Sequence, residues 1–143
     1  WIGGRTEAAF RRAGRFGDGW LPTQVTPEDV ARGISRIRDY ADREGNVIEE
    51  DHYGLQAGCY MVENGPVPLD KVSQYLLRRR QDVSIEELNF IGTPDQVKQR
   101  IREYVDAGAS KFVLTPACPP EELETQLDLQ AETLLKDFHS DVE

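Results

Sequence analysis

Two short apolar stretches near the start of the chain, separated by a helix-length segment, constrain the fold more than any other feature. Residues 1–5 are WIGGR and residues 17–22 are GDGWLP. Between them, residues 7–15 place alanines and a phenylalanine on one side and arginines on the other, which predicts an amphipathic helix that ends at Gly17. A strand, a helix and a second strand in this order predict a parallel β-sheet.

The same alternation continues along the rest of the chain. Strands are predicted at residues 1–4, 19–22, 53–62 and 111–114. Further helices are predicted from a cap at Thr26 to Gly45, over residues 69–80, in a short turn opened by Ser84, from a cap at Thr93 to Gly108, and after residues 119–120. Four parallel strands alternating with helices make an α/β fold, either a free four-stranded layer or half of an eight-stranded barrel.

The beginning of the chain favours the half barrel. Trp1 lies inside the first predicted strand, and no initiator methionine precedes it. We therefore expect residues 1–143 to be a single domain, a fragment that forms the C-terminal half of a (β/α)8 TIM barrel. The length of 143 residues suffices for one hydrophobic core.

Composition excludes several classes of partner. The formal net charge is −9, which argues against nucleic acid, because a phosphate backbone requires a basic face. No run of about 18 apolar residues is present, so we predict no membrane span and a cytoplasmic location. Cys59 and Cys118 form no CxxC motif and are expected to be reduced. No metal-ligand spacing is present, and no metal site is predicted.

Several phrases, taken in order, resemble a known family. Residues 1–9 (WIGGRTEAA) and 17–22 (GDGWLP) resemble the second-half signature of luciferase-like monooxygenases, which include the coenzyme F420-dependent oxidoreductases. Residues 92–97 (GTPDQV) and 104–109 (YVDAGA) are similar to the late helix and last strand of the same family. The resemblance covers nearly the whole chain, from Trp1 to about Leu135.

The resemblance implies a TIM barrel that holds FMN or coenzyme F420 at the carboxyl ends of its strands. Residues 1–4 would be strand five, and residues 111–114 would be strand eight. The loops after strands five and six would hold the phosphate-bearing tail of the cofactor. The cofactor-binding residues implied in this chain are Gly3, Gly4, Arg5, Thr6, Leu21, Pro22 and Thr23. Catalytic residues are not assigned.

Elementary chemistry supports an anion site at the first of these loops. Backbone N–H groups of a glycine-rich turn before a helix N-terminus attract anions, and Arg5 and Thr6 can add a charge and a hydroxyl group. Some relatives place a lysine shortly after the second strand, where residues 24–26 are Gln-Val-Thr, so Arg5 is the cation that we expect. The same loop could instead be a tight turn in which Thr6 caps the helix. Trp20 could line the cofactor pocket or be buried in the barrel wall.

The predicted function is that of the tail-binding half of a flavin- or F420-dependent oxidoreductase or monooxygenase. The isolated chain is expected to be inactive, because the first four strands of the family, which supply much of the ring pocket, are absent. The expected partners are a flavin-type cofactor, a small organic substrate of the parent protein, and a second copy of the chain. Unpaired strand edges and an uncovered apolar interior favour such a homodimer. The alternative is a stand-alone half-barrel module for binding or structure, without redox activity.

Overall fold

A computed structural model describes residues 1–138, so the last five residues of the predicted domain lie outside the described part. The helices are α1 (Glu7–Phe16), α2 (Pro27–Glu44), α3 (Leu69–Val72), α4 (Ile85–Leu88), α5 (Pro94–Asp106) and α6 (Leu123–Phe138). The strands are β1 (Gly54–Met61), β2 (Phe90–Gly92) and β3 (Lys111–Pro116), and 3₁₀ turns span Ser73–Tyr75 and Pro120–Glu122. The predicted α/β class is therefore confirmed.

The three regular strands form one parallel sheet in the order β2-β1-β3. β1 and β3 pair from Gly54 opposite Lys111 to Cys59 opposite Pro116. β2 pairs only with the last three residues of β1. The parallel arrangement that the sequence predicts is thus present, with β1 at its centre.

The first two predicted strands, residues 1–4 and 19–22, are extended segments rather than regular strands. They join the sheet through isolated parallel bridges between Ile2 and Trp20, Trp20 and Tyr53, and Thr23 and Gln56. The prediction of four regular strands is not met in the described residues, and β2 was not predicted. Gly3 and Gly4 have no side chain to pack and Pro22 has no N–H to donate, so neither segment sustains a continuous ladder.

Local capping sets most helix ends where the sequence predicts them. The hydroxyl of Thr26 accepts a hydrogen bond from the N–H of Asp29 at 3.2 Å, and the Asp29 carboxylate accepts one from the N–H of Thr26 at 3.1 Å. Gly45 ends α2 with a φ of +70°. Thr93 and Ser84 form the same reciprocal arrangement at the starts of α5 and α4.

The predicted helix over residues 69–80 is wrong beyond its first turns. α3 and the following 3₁₀ turn end at Tyr75, and the backbone becomes extended at Leu76, with φ −104° and ψ 139°. Leu76 is buried in a small second core with Tyr60 and Ala117. Tertiary packing therefore overrides the helical pattern in this segment.

The long helices cover one face of the sheet and leave the other face largely uncovered. In β1, alternate residues from Leu55 to Met61 belong to the main core with side chains of α1, α2, α5 and α6, whereas Gln56 is exposed. In β3 the exposed residues are Lys111, Val113 and Thr115. The second core covers only the carboxyl end of this open face.

Trp20 lies in the centre of the main core and is fully buried. Its Nε1 donates a hydrogen bond to the carbonyl of Gly4 at 2.8 Å, and its ring meets that of Phe10 edge-on. Gly33 of α2 makes room for the indole, because a Cβ at this position would lie 2.4 Å from a ring carbon. Of the two interpretations that the sequence left open, the structure favours the buried tryptophan.

Candidate functional site

The turn after the first extended segment consists of Gly3, Gly4, Arg5 and Thr6, all exposed. Gly4 has a φ of +94°, in the region that favours glycine, and a Cβ there would lie 2.8 Å from the Cβ of Ala9. The Thr6 hydroxyl accepts from the N–H of Ala9 at 3.4 Å, so Thr6 caps α1. This cap satisfies only one of the N–H groups that a helix N-terminus leaves without a partner.

The second predicted turn, Leu21, Pro22 and Thr23, is fixed by its backbone. The N–H of Leu21 donates to the carbonyl of Ile2 at 3.0 Å, and the carbonyl of Pro22 accepts from Gln56 at 2.9 Å. The side chain of Pro22 is buried, whereas those of Leu21 and Thr23 are partly exposed. Leu21 and Thr23 are therefore the predicted residues of this turn that a ligand could reach.

The two predicted turns lie side by side where the two extended segments end, and the second of them runs beside the first residues of β1. The Ile2–Trp20 bridge joins the extended segments, and the hydrogen bond from Trp20 to Gly4 ties the first turn to the second segment. Arg5 has no ion-pair partner among residues 1–138. The structure thus brings the predicted residues together and leaves a cation accessible beside them.

Gln24 directly follows the second turn and is only 5% exposed. Its φ of +56° is the one left-handed value at a non-glycine residue in the described part of the chain. Its Oε1 accepts hydrogen bonds from the N–H groups of Arg79, at 2.6 Å, and Arg80, at 3.2 Å, and its Nε2 donates to the carbonyl of Leu77. We refer to residues 77–82 as the arginine segment.

Arg80 fastens the arginine segment to the start of α2. Its guanidinium, with the side chain 9% exposed, donates to the Asp29 carboxylate, to the Gln24 carbonyl at 3.2 Å and to Asp82 at 2.6 Å. The pKa of Asp82 is lowered to about 2, mainly by its hydrogen bonds from Arg80 and to a small extent by the charge of Arg5. Arg80 would be the last residue of the predicted helix over residues 69–80, but it is instead part of a largely buried network.

A cavity of about 100 Å³ lies beside Thr23, between the open face of the sheet and the arginine segment. Its polar lining comes from Thr23, Gln24, Gln56, Asn89 and Thr115. Pockets for drug-sized ligands measure about 300 to 1,000 Å³, so this cavity suits a small polar group and is too small for a tricyclic ring.

Several other residues of types that often take part in chemistry make structural contacts or are free thiols. Nδ1 of His52 lies 2.6 Å from the carbonyl oxygen of Asp18, and the chain bends at Asp18 between α1 and the second extended segment. Both cysteines are free, and burial raises the pKa of the Cys59 thiol to about 12. Residues 1–138 contain no group of three or more His, Cys, Asp or Glu side chains that could hold a metal ion.

Sequence reasoning missed Gln24 and Arg80, the two residues that tie the arginine segment to the second turn. In the sequence Gln24 stands where some relatives have a lysine, and Arg80 is the last of three consecutive arginines at residues 78–80. Arg80 and Asp29 are 51 residues apart, so no local pattern pairs them. The run of three arginines was the visible signal, but it does not name a partner.

Solved structures of F420- and FMN-dependent enzymes share the fold of this chain over most of its length, which confirms the predicted resemblance to the luciferase-like family at the level of the fold. Neither a family model nor a curated protein matches the chain. No helix within the described residues is long and apolar enough to cross a membrane.

Three solved structures illustrate this likeness. An F420-dependent secondary alcohol dehydrogenase in complex with an F420-acetone adduct has a TM-score of 0.71 and 16% identity, over 92% of this chain and 46% of that one. The coenzyme F420-dependent tetrahydromethanopterin reductase of Methanopyrus kandleri has a TM-score of 0.67 and 18% identity, over 95% of this chain and 50% of that one. The third is the FMN complex of a type II Baeyer–Villiger monooxygenase, the oxygenating constituent of 3,6-diketocamphane monooxygenase from Pseudomonas putida. It has a TM-score of 0.68 and 11% identity, over 97% of this chain and 48% of that one. The chain therefore spans half or slightly less of the length of each.

Proposed function

We propose that this chain is the C-terminal half of a (β/α)8 barrel in an FMN- or coenzyme F420-dependent oxidoreductase of the luciferase-like family, and that it binds the cofactor tail. The observation that carries the proposal is the side-by-side position of the turn at residues 3–6 and the turn at residues 21–23, tied together by Trp20 and Gly4. An F420-dependent enzyme and an FMN complex among the structural neighbours support this class of cofactor. The cytoplasm remains the location that we propose.

The residues present suit a phosphate-bearing tail better than a ring. The turn at Gly4, the N-terminus of α1 and the exposed guanidinium of Arg5 together favour an anion. The cavity beside Thr23 is too small for the ring system, which would need elements beyond the described residues. When bound, FMN or F420 would supply the hydride chemistry, while Arg5, Thr6 and Thr23 would bind and orient its tail.

The isolated chain is expected to show no turnover with reduced FMN or reduced F420. Binding the tail positions a cofactor but does not supply a closed pocket around its ring, and a site open to water loses most of the benefit of fixed charges and dipoles. A stopped-flow assay of cofactor reoxidation with and without the chain measures this. Robust acceleration of cofactor reoxidation by the chain alone would contradict the proposal that this chain binds only the cofactor tail.

The proposed site predicts that Arg5→Ala weakens binding of the phosphorylated cofactors by about tenfold or more, because a hydrogen bond to a charged group contributes about 1.5–3 kcal/mol. Dissociation constants for FMN and riboflavin, and for F420 and its phosphate-free deazaflavin, can be followed through the fluorescence of the half-exposed Trp1. The two phosphate-free ligands should bind the variant as they bind the unchanged chain.

The matched control for this measurement is Arg11→Ala. Arg11 is an exposed arginine of α1, and its removal changes the net charge by the same amount. If both variants lose affinity equally, the effect is one of overall charge, and Arg5 does not hold the tail.

The second candidate function is that of a half-barrel module that binds or supports another molecule without redox activity. The chain spans half or less of the neighbours' length, and the cavity beside Thr23 is too small for a ring; both observations fit a module without redox activity. If this function is correct, the unchanged chain binds FMN no more tightly than riboflavin, and F420 no more tightly than its phosphate-free deazaflavin.

We also propose that the chain self-associates. Among the described residues β3 pairs only with β1, so its outer backbone edge is open to another strand. The open face is less apolar than the predicted barrel interior, since Gln56, Lys111 and Thr115 lie on it beside Val113. Light scattering is expected to give twice the mass of the chain, and a monomer that persists as the concentration rises would contradict the proposal.

A further inference from the structure

Gln24 combines three properties that rarely occur together in a loop residue. It is polar, it is 5% exposed, and it has a left-handed backbone at a position where glycine or asparagine would be less strained. Strain of this kind persists only where the surrounding contacts determine the conformation. The hydrogen bonds of its side chain are therefore what holds Gln24 in this conformation.

Those contacts all go to the arginine segment. The side-chain amide of Gln24 satisfies the N–H groups of Arg79 and Arg80 and the carbonyl of Leu77. It thereby replaces the hydrogen bonds that a helix or sheet would give to these three backbone groups. The segment is irregular because one side chain from elsewhere in the chain holds it.

Arg80 makes a second tie between the same two parts of the chain. Its guanidinium donates to the carbonyl of Gln24 and to the carboxylate of Asp29 at the start of α2. The segment is thus held at both its backbone and its side chain, next to the turn that ends at Thr23.

The arginine segment also lies close to the first turn of the proposed site. The positive charge of Arg5 contributes to lowering the pKa of Asp82, which is the other partner of Arg80. Thr23 and Leu77 line the same cavity. The segment therefore borders the second turn, and its Asp82 is near enough to Arg5 for the two charges to interact.

We propose that Gln24 is a positioning residue that holds the arginine segment against these two turns and so forms the third wall of a phosphate subsite. The inference rests on the proposed function, because it takes the phosphate of the cofactor tail as the ligand. Gln24 itself would not contact the phosphate, since its amide is occupied by Leu77, Arg79 and Arg80.

The test uses Gln24→Gly, which keeps the left-handed backbone available and removes the whole side chain with its amide. Gln24→Asn is a second variant, because asparagine tolerates this backbone but its amide is one methylene shorter. Gln81→Gly is the matched control, an exposed glutamine within the arginine segment itself. Two quantities are measured: the preference for FMN over riboflavin and for F420 over its phosphate-free deazaflavin, and the hydrogen exchange of the Arg79 and Arg80 amides.

Both Gln24 variants are expected to lose the preference for the phosphorylated ligand by tenfold or more, with unchanged binding of the phosphate-free ligand. Exchange at Arg79 and Arg80 should accelerate by tenfold or more, while Gln81→Gly changes neither quantity. If amide exchange accelerates but the preference for the phosphorylated ligand is kept, Gln24 holds the arginine segment without positioning a phosphate subsite. If exchange stays slow in both variants, Gln24 does not hold the segment at all. An unchanged chain with no preference for phosphorylated ligands would overturn the proposed function and this inference with it.

Discussion

Replacing Trp20 by alanine is expected to lower the free energy of unfolding by about 3 to 5 kcal/mol, the usual range for removing a large aromatic side chain from a core. The side chain is fully buried and packs against Phe10 and Gly33. Its loss also leaves the carbonyl of Gly4 without the indole N–H that it accepts. Urea denaturation followed by circular dichroism measures the change, and a domain of this size could be largely unfolded in the variant even without denaturant.

Trp1 provides the matched control, because it is the other tryptophan and is 49% exposed. Its ring lies over His52 at a centroid distance of 5.3 Å. Trp1→Ala is expected to cost less than about 1 kcal/mol, as is common for substitutions outside the core. Equal losses in the two variants would show that Trp20 is not the centre of the core.

Replacing Gly33 by alanine is expected to destabilise the protein by about 1 to 2 kcal/mol, although alanine is the better helix former by about 1 kcal/mol. A Cβ at this position would lie 2.4 Å from one indole carbon of Trp20 and 2.9 Å from two others. The indole is rigid and enclosed, so the clash requires α2 or the second extended segment to move. The same denaturation experiment measures this loss.

The cause of that loss can be isolated by combining the two substitutions. In a Trp20→Ala background the indole is absent, and Gly33→Ala should then become neutral or stabilising. Should the alanine remain equally destabilising without the indole, the clash with Trp20 is not the reason. If the double variant is too unstable for denaturation, Trp20→Leu gives a milder background for the same comparison.

The parts of the fold that could be predicted from the sequence depend on neighbouring residues. The cap at Thr26, the left-handed glycine at Gly45 and the capping box at Thr93 each involve residues within four positions or at a single glycine, so their patterns are visible in the sequence. The parallel direction of the strands followed from the same local alternation.

The parts that could not be predicted depend on distant contacts. The helix predicted over residues 69–80 has the right local pattern, but Leu76 leaves it to pack with Ala117, and Arg80 leaves it to pair with Asp29. In the candidate site the glycine turn at residues 3–6 was visible in the sequence. The hydrogen bonds by which Gln24 holds the arginine segment were not. The partners of Gln24 lie more than 50 residues away along the chain.

The polar character of the open face of the sheet bears on the order in which this protein assembles. Gln56, Thr115 and Lys111 can stay in water at little cost, whereas the main core lies wholly between the sheet and the helices. The helical layer can therefore form and become stable before anything covers the opposite face. A molecule that later covers that face would meet an ordered surface. The free energy of association would therefore not have to offset the conformational entropy that this half loses on folding.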